Sequence, residues 1–161
     1  NANLAQLARA YLVFANEGAI PSLKLFKNDN TPNNLQQIFT PESTKRIAEI
    51  LDSVASDNGS GYRAVINGYS VAGKTGTAEI VIDGKYSKDG AKRTYFIGFS
   101  PAKNPKYIMA VRLDYPKKCF VYWDPTMRNR CEGSNSASMA FQKAMKRILI
   151  NDPQIKSKFE G

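Results

Sequence analysis

The sequence predicts an α+β fold in which a helical segment comes first, antiparallel strands follow, and one helix closes the chain. Apolar residues recur every three or four positions up to about residue 56, and again after about residue 136. Between about residues 64 and 114 the period changes to two, which is the spacing of strands. At 161 residues with 42% hydrophobic content, the chain is long enough to bury one sizeable core.

The helical spacing predicts two helices early in the chain, over about residues 3–17 and 41–56. We expect the first to stop at Gly18, because glycine is common just after a helix end. Thr40 and Pro41 favour the start of the second, since threonine caps helices and proline fits their first turn. The connector between the two helices is rich in turn-forming residues.

Strands are predicted within about residues 64–114. The candidate segments are rich in valine, isoleucine, tyrosine and phenylalanine and are separated by turn signals, which indicates antiparallel strands with short connections. A third helix over about 136–150, capped by Ser136 or a neighbour, closes the pattern. The candidate strands are 64–67, 69–82, 94–99 and 107–114, and the turn signals are Asp83-Gly84, Asp89-Gly90 and Asn104-Pro105.

The composition excludes several kinds of chemistry. The net charge is +9, but the cations are dispersed and accompany no nucleic-acid-binding signature, so we expect a solvated basic surface and no nucleic-acid partner. The chain has no histidine, which excludes imidazole-based triads and histidine-containing metal sites. We expect no metal and no cofactor. Because the chain has no imidazole, any acyl-transfer chemistry must use lysine, a carboxylate or tyrosine as its base.

The tetrad Lys74-Thr75-Gly76-Thr77 is the motif with the clearest chemistry, and it lies in the strongest strand candidate. Lys74 can supply a positive charge or, when desolvated, shuttle a proton. Thr75 and Thr77 can hydrogen-bond a carboxylate, and Gly76 lets a substrate backbone approach the strand closely. An amide of an edge strand after that glycine can contribute to an oxyanion hole. The alternative is that these are polar residues on a solvated strand face.

The segment Val71–Glu79 resembles the third active-site motif of penicillin-binding proteins, the serine transpeptidases that cross-link peptidoglycan. The similarity extends over most of the chain and is closest to the class B, monofunctional, division-type members. It identifies residues 1–161 as the C-terminal portion of one transpeptidase domain. Further matching segments are Leu4–Tyr11, Asn16–Gly18, Gly68-Tyr69, Phe96–Ala102 and Asn104–Tyr107.

The resemblance implies the penicillin-binding transpeptidase or serine β-lactamase-like fold, an antiparallel sheet of about five strands covered by helices. It implies that Lys74 belongs to the network that moves protons around a nucleophilic serine. Thr75 and Thr77 would bind the carboxylate of the donor peptide or of a β-lactam, Gly76 would line the same site, and the Thr77 N–H would supply half of the oxyanion hole.

The predicted function is therefore peptidoglycan D,D-transpeptidation in cell-wall synthesis and division. Implied partners are peptidoglycan stem peptides, β-lactam antibiotics, a glycan-polymerising membrane protein of the division machinery, and the preceding half of the domain. The implied location is the periplasmic face of the bacterial inner membrane, with an anchor outside this chain. A serine β-lactamase, a D,D-carboxypeptidase and a non-catalytic β-lactam sensor domain remain as alternatives.

Two segments imitate the other motifs of the family, which run Ser-x-x-Lys, Ser-x-Asn and Lys-Thr-Gly in that order. Ser100–Lys103 fits the first formula but follows the tetrad and contains Pro101, which opposes the helix the motif requires. Ser56–Asn58 fits the second, but at the end of a predicted helix. We expect both matches to be coincidental, the nucleophilic serine to lie before Asn1, and the isolated chain to be inactive.

Cys119 and Cys131 are the only two cysteines. They bracket a segment, 120–130, that is unlike the core of the family. Because transpeptidases of this kind work outside the inner membrane, where disulfides persist, the resemblance predicts a bridge between them. Two buried free thiols are the alternative.

Overall fold

The computed structural model describes residues 2–24, 26, 28–30, 32–87, 91–117, 119 and 131–155. Its helices and strands follow the predicted order of helices, strands and a closing helix. They are α1 (Leu4–Ala15), β1 (Ala19–Ile20), β2 (Gln36–Gln37), α2 (Pro41–Val54), a 3-10 helix (Tyr62–Ala64), β3 (Ala72–Glu79), β4 (Val81–Ile82), β5 (Lys85–Tyr86), β6 (Lys92–Ser100), β7 (Tyr107–Asp114) and α3 (Ala137–Asn151).

The main sheet is antiparallel, with β6 between β3 and β7. Its register places Thr75 opposite Phe96 and Phe96 opposite Val111. The strand β6 is buried over most of its length because it has a neighbour on each side and helices on both faces. Within the described residues β3 pairs with β6 alone, so it forms an edge of this sheet.

The helices cover the two faces of the sheet, and alternate residues of β6 point to opposite faces. Phe96 packs against Phe141 of α3, with ring centroids 4.6 Å apart, in one buried cluster. Phe99 packs in a second cluster with Ala72 and with Leu51 of α2, bordered by α1. The described residues around the main sheet therefore form three layers, with α3 on one face and α1 and α2 on the other.

The starts of the first two helices are explained by their capping residues. The Asn3 side chain accepts from the Gln6 N–H at 2.8 Å and caps α1. Thr40 caps α2, with Pro41 as its first residue. The chain leaves α1 through Gly18, where φ is +92° and an added Cβ would lie 2.1 Å from the Phe39 carbonyl oxygen. Only glycine fits that turn, because both the dihedral and the space exclude a side chain.

The strand predicted at residues 64–67 is wrong. The chain forms the 3-10 helix up to Ala64, and a single bridge joins Ile66 to Tyr69 across the turn at Gly68, where φ is +88°. Ala64 and Ile66 are fully buried against the core beneath α3. Their apolar character reflects burial rather than strand pairing, and the two cannot be distinguished in so short a run.

The long strand predicted at 69–82 is divided in the structure. It begins at Ala72, and Ile80 separates β3 from a short hairpin of β4 and β5. The predicted turn at Asp83-Gly84 is confirmed, because both residues have positive φ, 49° and 76°, as a type I′ hairpin turn requires. The predicted turn at Asn104-Pro105 joins β6 to β7, and Asp89-Gly90 lies outside the described residues.

Candidate active site

The tetrad lies in the middle of β3, as the strand prediction requires. Thr75 and Gly76 are half-buried, whereas Lys74 and Thr77 are exposed. The pairing with β6 places Gly76 opposite Tyr95 and holds all four backbone positions in one regular ladder. Because β3 is an edge in the described part of the sheet, alternate backbone groups along it face away from β6 and are left free to pair with a ligand.

The pleat of β3 divides the tetrad side chains between the two faces of the sheet. Lys74 and Gly76 share a face with Ala72, which packs towards α1 and α2. Thr75 and Thr77 lie on the α3 face, opposite Phe96 and Thr94 of β6. A ligand along the edge of β3 would therefore meet an ammonium group on one side and two hydroxyl groups on the other.

Lys74 carries a charge that is available to an anion. Its Nζ donates to the Thr75 carbonyl oxygen at 3.1 Å and is exposed. Among the described residues, no ion pair includes it. A carboxylate brought to this edge would meet a cation that no acidic side chain of that part of the chain neutralises.

Thr77 is held by a loop that the sequence did not single out. Its Oγ1 accepts a hydrogen bond from the Gly133 N–H at 3.0 Å. Gly133 is buried against the backbone of both strands, and a Cβ there would lie 2.6 Å from the carbonyl oxygens of Gly76 and Tyr95. Gly133 had no sequence signal beyond its place among turn-forming residues, because a contact 56 positions away has no local pattern.

The same loop is fixed to the sheet at further points. The Ser136 and Thr94 hydroxyl groups, both buried, are hydrogen-bonded at 2.9 Å. Ser136 also bonds the Glu132 carbonyl, and the Lys92 Nζ lies 3.9 Å from the Glu132 carboxylate. Ser136 occupies the N-cap position of α3 as predicted, but its hydroxyl makes these contacts instead of capping the helix.

Cys119 and Cys131 are joined as a disulfide, with Cα atoms 5.2 Å apart, a separation that a bridge accommodates. Cys131 begins the loop that contains Gly133, so the bridge fixes one end of it. The enclosed segment 120–130 lies outside the described residues.

An ion network lies on the same face of the sheet as Lys74, at the end of β7. The Asp114 carboxylate accepts from Arg112 Nε at 2.8 Å and from Arg93 Nε at 2.9 Å. The hydrogen bond from Arg112, followed by that from Arg93, lowers the pKa of Asp114 to about 2. Asp114 is therefore ionised at neutral pH and holds the two guanidinium groups in place rather than exchanging protons.

The two imitation motifs are not built for nucleophilic attack. Ser100 is fully buried, and its hydroxyl donates to the Ser70 carbonyl at 2.7 Å. Ser56 lies at the exposed end of α2, where its hydroxyl donates to the Ser53 carbonyl at 2.6 Å. Neither serine has an adjacent lysine as a described hydrogen-bond partner, which agrees with the expectation that both matches are coincidental.

In the described residues, no helix is long and apolar enough to cross a bilayer.

Comparison with known proteins shows what this arrangement is similar to. The family described as Penicillin binding protein transpeptidase domain matches residues 1–146. The chain is 40% identical over 116 residues to a probable peptidoglycan D,D-transpeptidase, PbpC, of Pseudomonas aeruginosa, covering 72% of this chain and 20% of that protein. It is 34% identical over 149 residues to the peptidoglycan D,D-transpeptidase FtsI of Buchnera aphidicola, covering 89% and 24%.

Among solved structures, the apo transpeptidase domain of Burkholderia pseudomallei penicillin-binding protein 3 has the same fold, with a TM-score of 0.75 at 28% identity. That match covers 94% of this chain and 44% of the solved domain. The chain thus spans about a fifth to a quarter of the two curated relatives and less than half of the solved domain.

Proposed function

Because the chain belongs to the penicillin-binding protein transpeptidase domain family, we propose that it forms the C-terminal part of a peptidoglycan D,D-transpeptidase domain. Membership of this family confirms two predictions from the sequence. One is the resemblance identified at Val71–Glu79, and the other is the α+β fold class. The observation that carries the function is the tetrad on the edge strand β3, with Lys74 on one face and Thr75 and Thr77 on the other.

The proposed reaction is acyl transfer in two steps. A serine hydroxyl outside this chain attacks the carbonyl of the penultimate D-Ala, and the terminal D-Ala leaves as an amine after taking a proton. The amine of a neighbouring stem peptide then attacks the acyl-enzyme ester and releases the serine. Lys74 would take part in the proton transfers, and the Thr77 N–H would stabilise the oxyanion formed in each step.

The donor must be held by its terminal carboxylate, and the geometry of β3 suits that anion. The hydroxyl groups of Thr75 and Thr77, which share one face of the strand, supply hydrogen-bond donors, and the exposed Lys74 ammonium adds positive charge from the other face. Gly76 exposes backbone between them, because it has no side chain to separate a peptide from the strand. A β-lactam would use the same groups, since its carboxylate stands where that of the terminal D-Ala would stand.

The partners and location follow from this proposal. The substrate class is peptidoglycan stem peptides, the inhibitors are β-lactams, and the partner in synthesis is a glycan-polymerising membrane protein of the division machinery. The location is the periplasmic face of the inner membrane, through an anchor outside this chain. The disulfide between Cys119 and Cys131 supports an oxidising compartment.

The test is covalent labelling of the complete domain with a fluorescent penicillin. We expect wild-type protein to be labelled and Lys74→Ala to lose labelling, because the proton transfers around the serine fail. Lys85→Ala is the matched control, since Lys85 is an exposed lysine in the β4–β5 hairpin. Equal labelling of Lys74→Ala and wild type would contradict the proposed role of the tetrad.

The products distinguish the alternatives. A transpeptidase joins two stem peptides, a D,D-carboxypeptidase releases D-Ala without joining them, and a β-lactamase hydrolyses the penicillin rapidly. A sensor domain would retain the label and process no peptide. Stem-peptide analogues analysed by mass spectrometry separate these outcomes.

The isolated 161-residue chain is expected to give no covalent band with the same penicillin. The reason is that β-lactam opening needs an activated hydroxyl, and Ser100 is buried while Ser56 bonds its own helix end. Adding the preceding half of the domain should restore the band. A label mapped to Ser100 or Ser56 by peptide mass would show that one of the imitation motifs is the real one.

A further inference from the structure

The hydroxyl group of Thr77 has a fixed partner before any ligand arrives. It is exposed on the edge strand, yet its oxygen accepts from the buried Gly133 N–H at 3.0 Å. A hydroxyl group has one proton and two lone pairs. Because the amide hydrogen already points at one lone pair, the hydroxyl proton must be directed elsewhere, and the exposed side of Thr77 is where a ligand can accept it.

The approach of Gly133 to β3 depends on its lack of a side chain. A Cβ at that position would lie 2.6 Å from two backbone carbonyl oxygens, those of Gly76 and Tyr95, and 2.9 Å from the Gly76 nitrogen. Backbone atoms in a paired ladder cannot move aside as the end of a long side chain can. Any other residue would therefore displace the loop from the strand and lengthen the bond to Thr77.

The loop is anchored on both sides of Gly133, so the contact is part of a rigid unit. Cys131 is bridged to Cys119, and Ser136 is bonded to the buried Thr94 of the central strand. The Ser138 N–H at the start of α3 donates to the Gly133 carbonyl at 2.9 Å. The amide that points at Thr77 is thus held by covalent, side-chain and backbone ties at once.

We propose that Gly133 is a positioning residue whose backbone N–H orients the Thr77 hydroxyl, so that its proton is directed to the carboxylate of the bound acyl donor. This inference rests on the proposed function, because it assigns Thr77 a carboxylate ligand. Gly133 does not touch the ligand itself. It determines the direction in which Thr77 donates and so favours ligands with a carboxylate at that point over those without one.

The first experiment uses the complete domain and a pair of penicillins, one with a free carboxylate and one in which it is a methyl ester. Gly133→Ala should slow acylation by the acid roughly 10- to 100-fold, the range for one hydrogen bond to a charged group. Acylation by the ester should change little. Equal slowing for acid and ester would overturn the proposal, because displacement of the whole site would act on both.

Ser134→Ala is the matched control in the same loop, since the hydrogen bond described for Ser134 uses its backbone carbonyl. It should leave both rates unchanged. In a Thr77→Val background, which already lacks the hydroxyl group, Gly133→Ala should add no further loss for the acid. Additive losses would show that the two residues act separately.

A second measurement does not depend on activity and remains informative if Gly133→Ala fails to fold. Amide hydrogen exchange at Gly133 should be faster in Thr77→Val than in Thr77→Ser, because only serine keeps the acceptor oxygen. Equal exchange in the two variants would overturn the contact. If the wild type is acylated by neither penicillin, the proposed function fails, while the exchange result still decides whether Gly133 holds Thr77.

Discussion

The strands β3 and β6 run side by side in one ladder, yet they have opposite roles. Of β6, Thr94 and the run Phe96–Ser100 are buried, and the strand contacts the other two strands and a helix on each face. Of β3, Lys74 and residues 77–79 are exposed, and its outer edge has no neighbour among the described residues. The comparison shows that the central strand stabilises the domain, while the edge strand presents charged and polar groups on that support.

The largest effect should separate the two strands directly. Phe96→Ala removes a fully buried ring that packs on Phe141, so the complete domain should lose about 3–5 kcal/mol of unfolding free energy. Lys74→Ala should leave the unfolding free energy nearly unchanged while acylation is lost, because the side chain is exposed. Chemical denaturation together with penicillin labelling measures both. A large loss of unfolding free energy in Lys74→Ala would contradict the proposal that β6 stabilises the domain while β3 presents the functional groups.

Much of this arrangement was predictable where the cause is local. The capping residue Thr40 and the turn residues Asp83 and Gly84 predict their elements because their effects act within a few positions. The tetrad's strand was predictable for the same reason. The burial of 64–67 without a strand was not, since a short apolar run does not reveal which neighbour will cover it.

The Gly133 contact with Thr77 is another feature that the sequence could not predict, because its cause is not local. It joins residues 56 positions apart, and its only requirement, space for a bare backbone, produces no periodic pattern. Sequence reasoning therefore identified the chemical groups of the site and missed the group that orients one of them. The Ser136 hydroxyl shows the same limit, because its cap position was predicted while its bond to Thr94 was not.

The disulfide should affect the support of the edge strand more than the central strand. Non-reducing mass spectrometry should find no free thiol, since Cys119 and Cys131 are bridged. Replacing both by serine should cost on the order of 3 kcal/mol from the entropy of closing a short loop. Amide exchange should accelerate in residues 131–136 more than in β6. Two alkylatable cysteines in the folded protein would refute the bridge, and uniform acceleration would refute its local action.

Thr75→Val should have a smaller and more selective effect. Valine keeps the shape and strand preference of threonine but cannot donate a hydrogen bond. Binding of a β-lactam carboxylate should weaken by roughly 1–3 kcal/mol, and Thr75→Ser should retain most of it. The acylation rate as a function of penicillin concentration measures the change. Unchanged kinetics in Thr75→Val would show that this hydroxyl is structural.

The smallest effect should come from Asp114, the last residue of β7. The hydrogen bonds from Arg112 and then Arg93 lower its pKa from 3.8 to about 2 in the folded chain. Because the folded pKa is depressed, the carboxylate stabilises the fold above about pH 4, and this contribution is lost as the pH falls through about 2. Asp114→Asn should therefore reduce the melting temperature slightly at neutral pH and by much less at pH 2, where about half of the folded molecules have a protonated Asp114. The groups are exposed, so high salt should also diminish the difference.

Asp57→Asn is the control, since Asp57 is exposed and outside the described ion pairs. A difference between Asp114→Asn and wild type that was as large at pH 2 as at neutral pH would mean that the side chain acts through packing rather than charge.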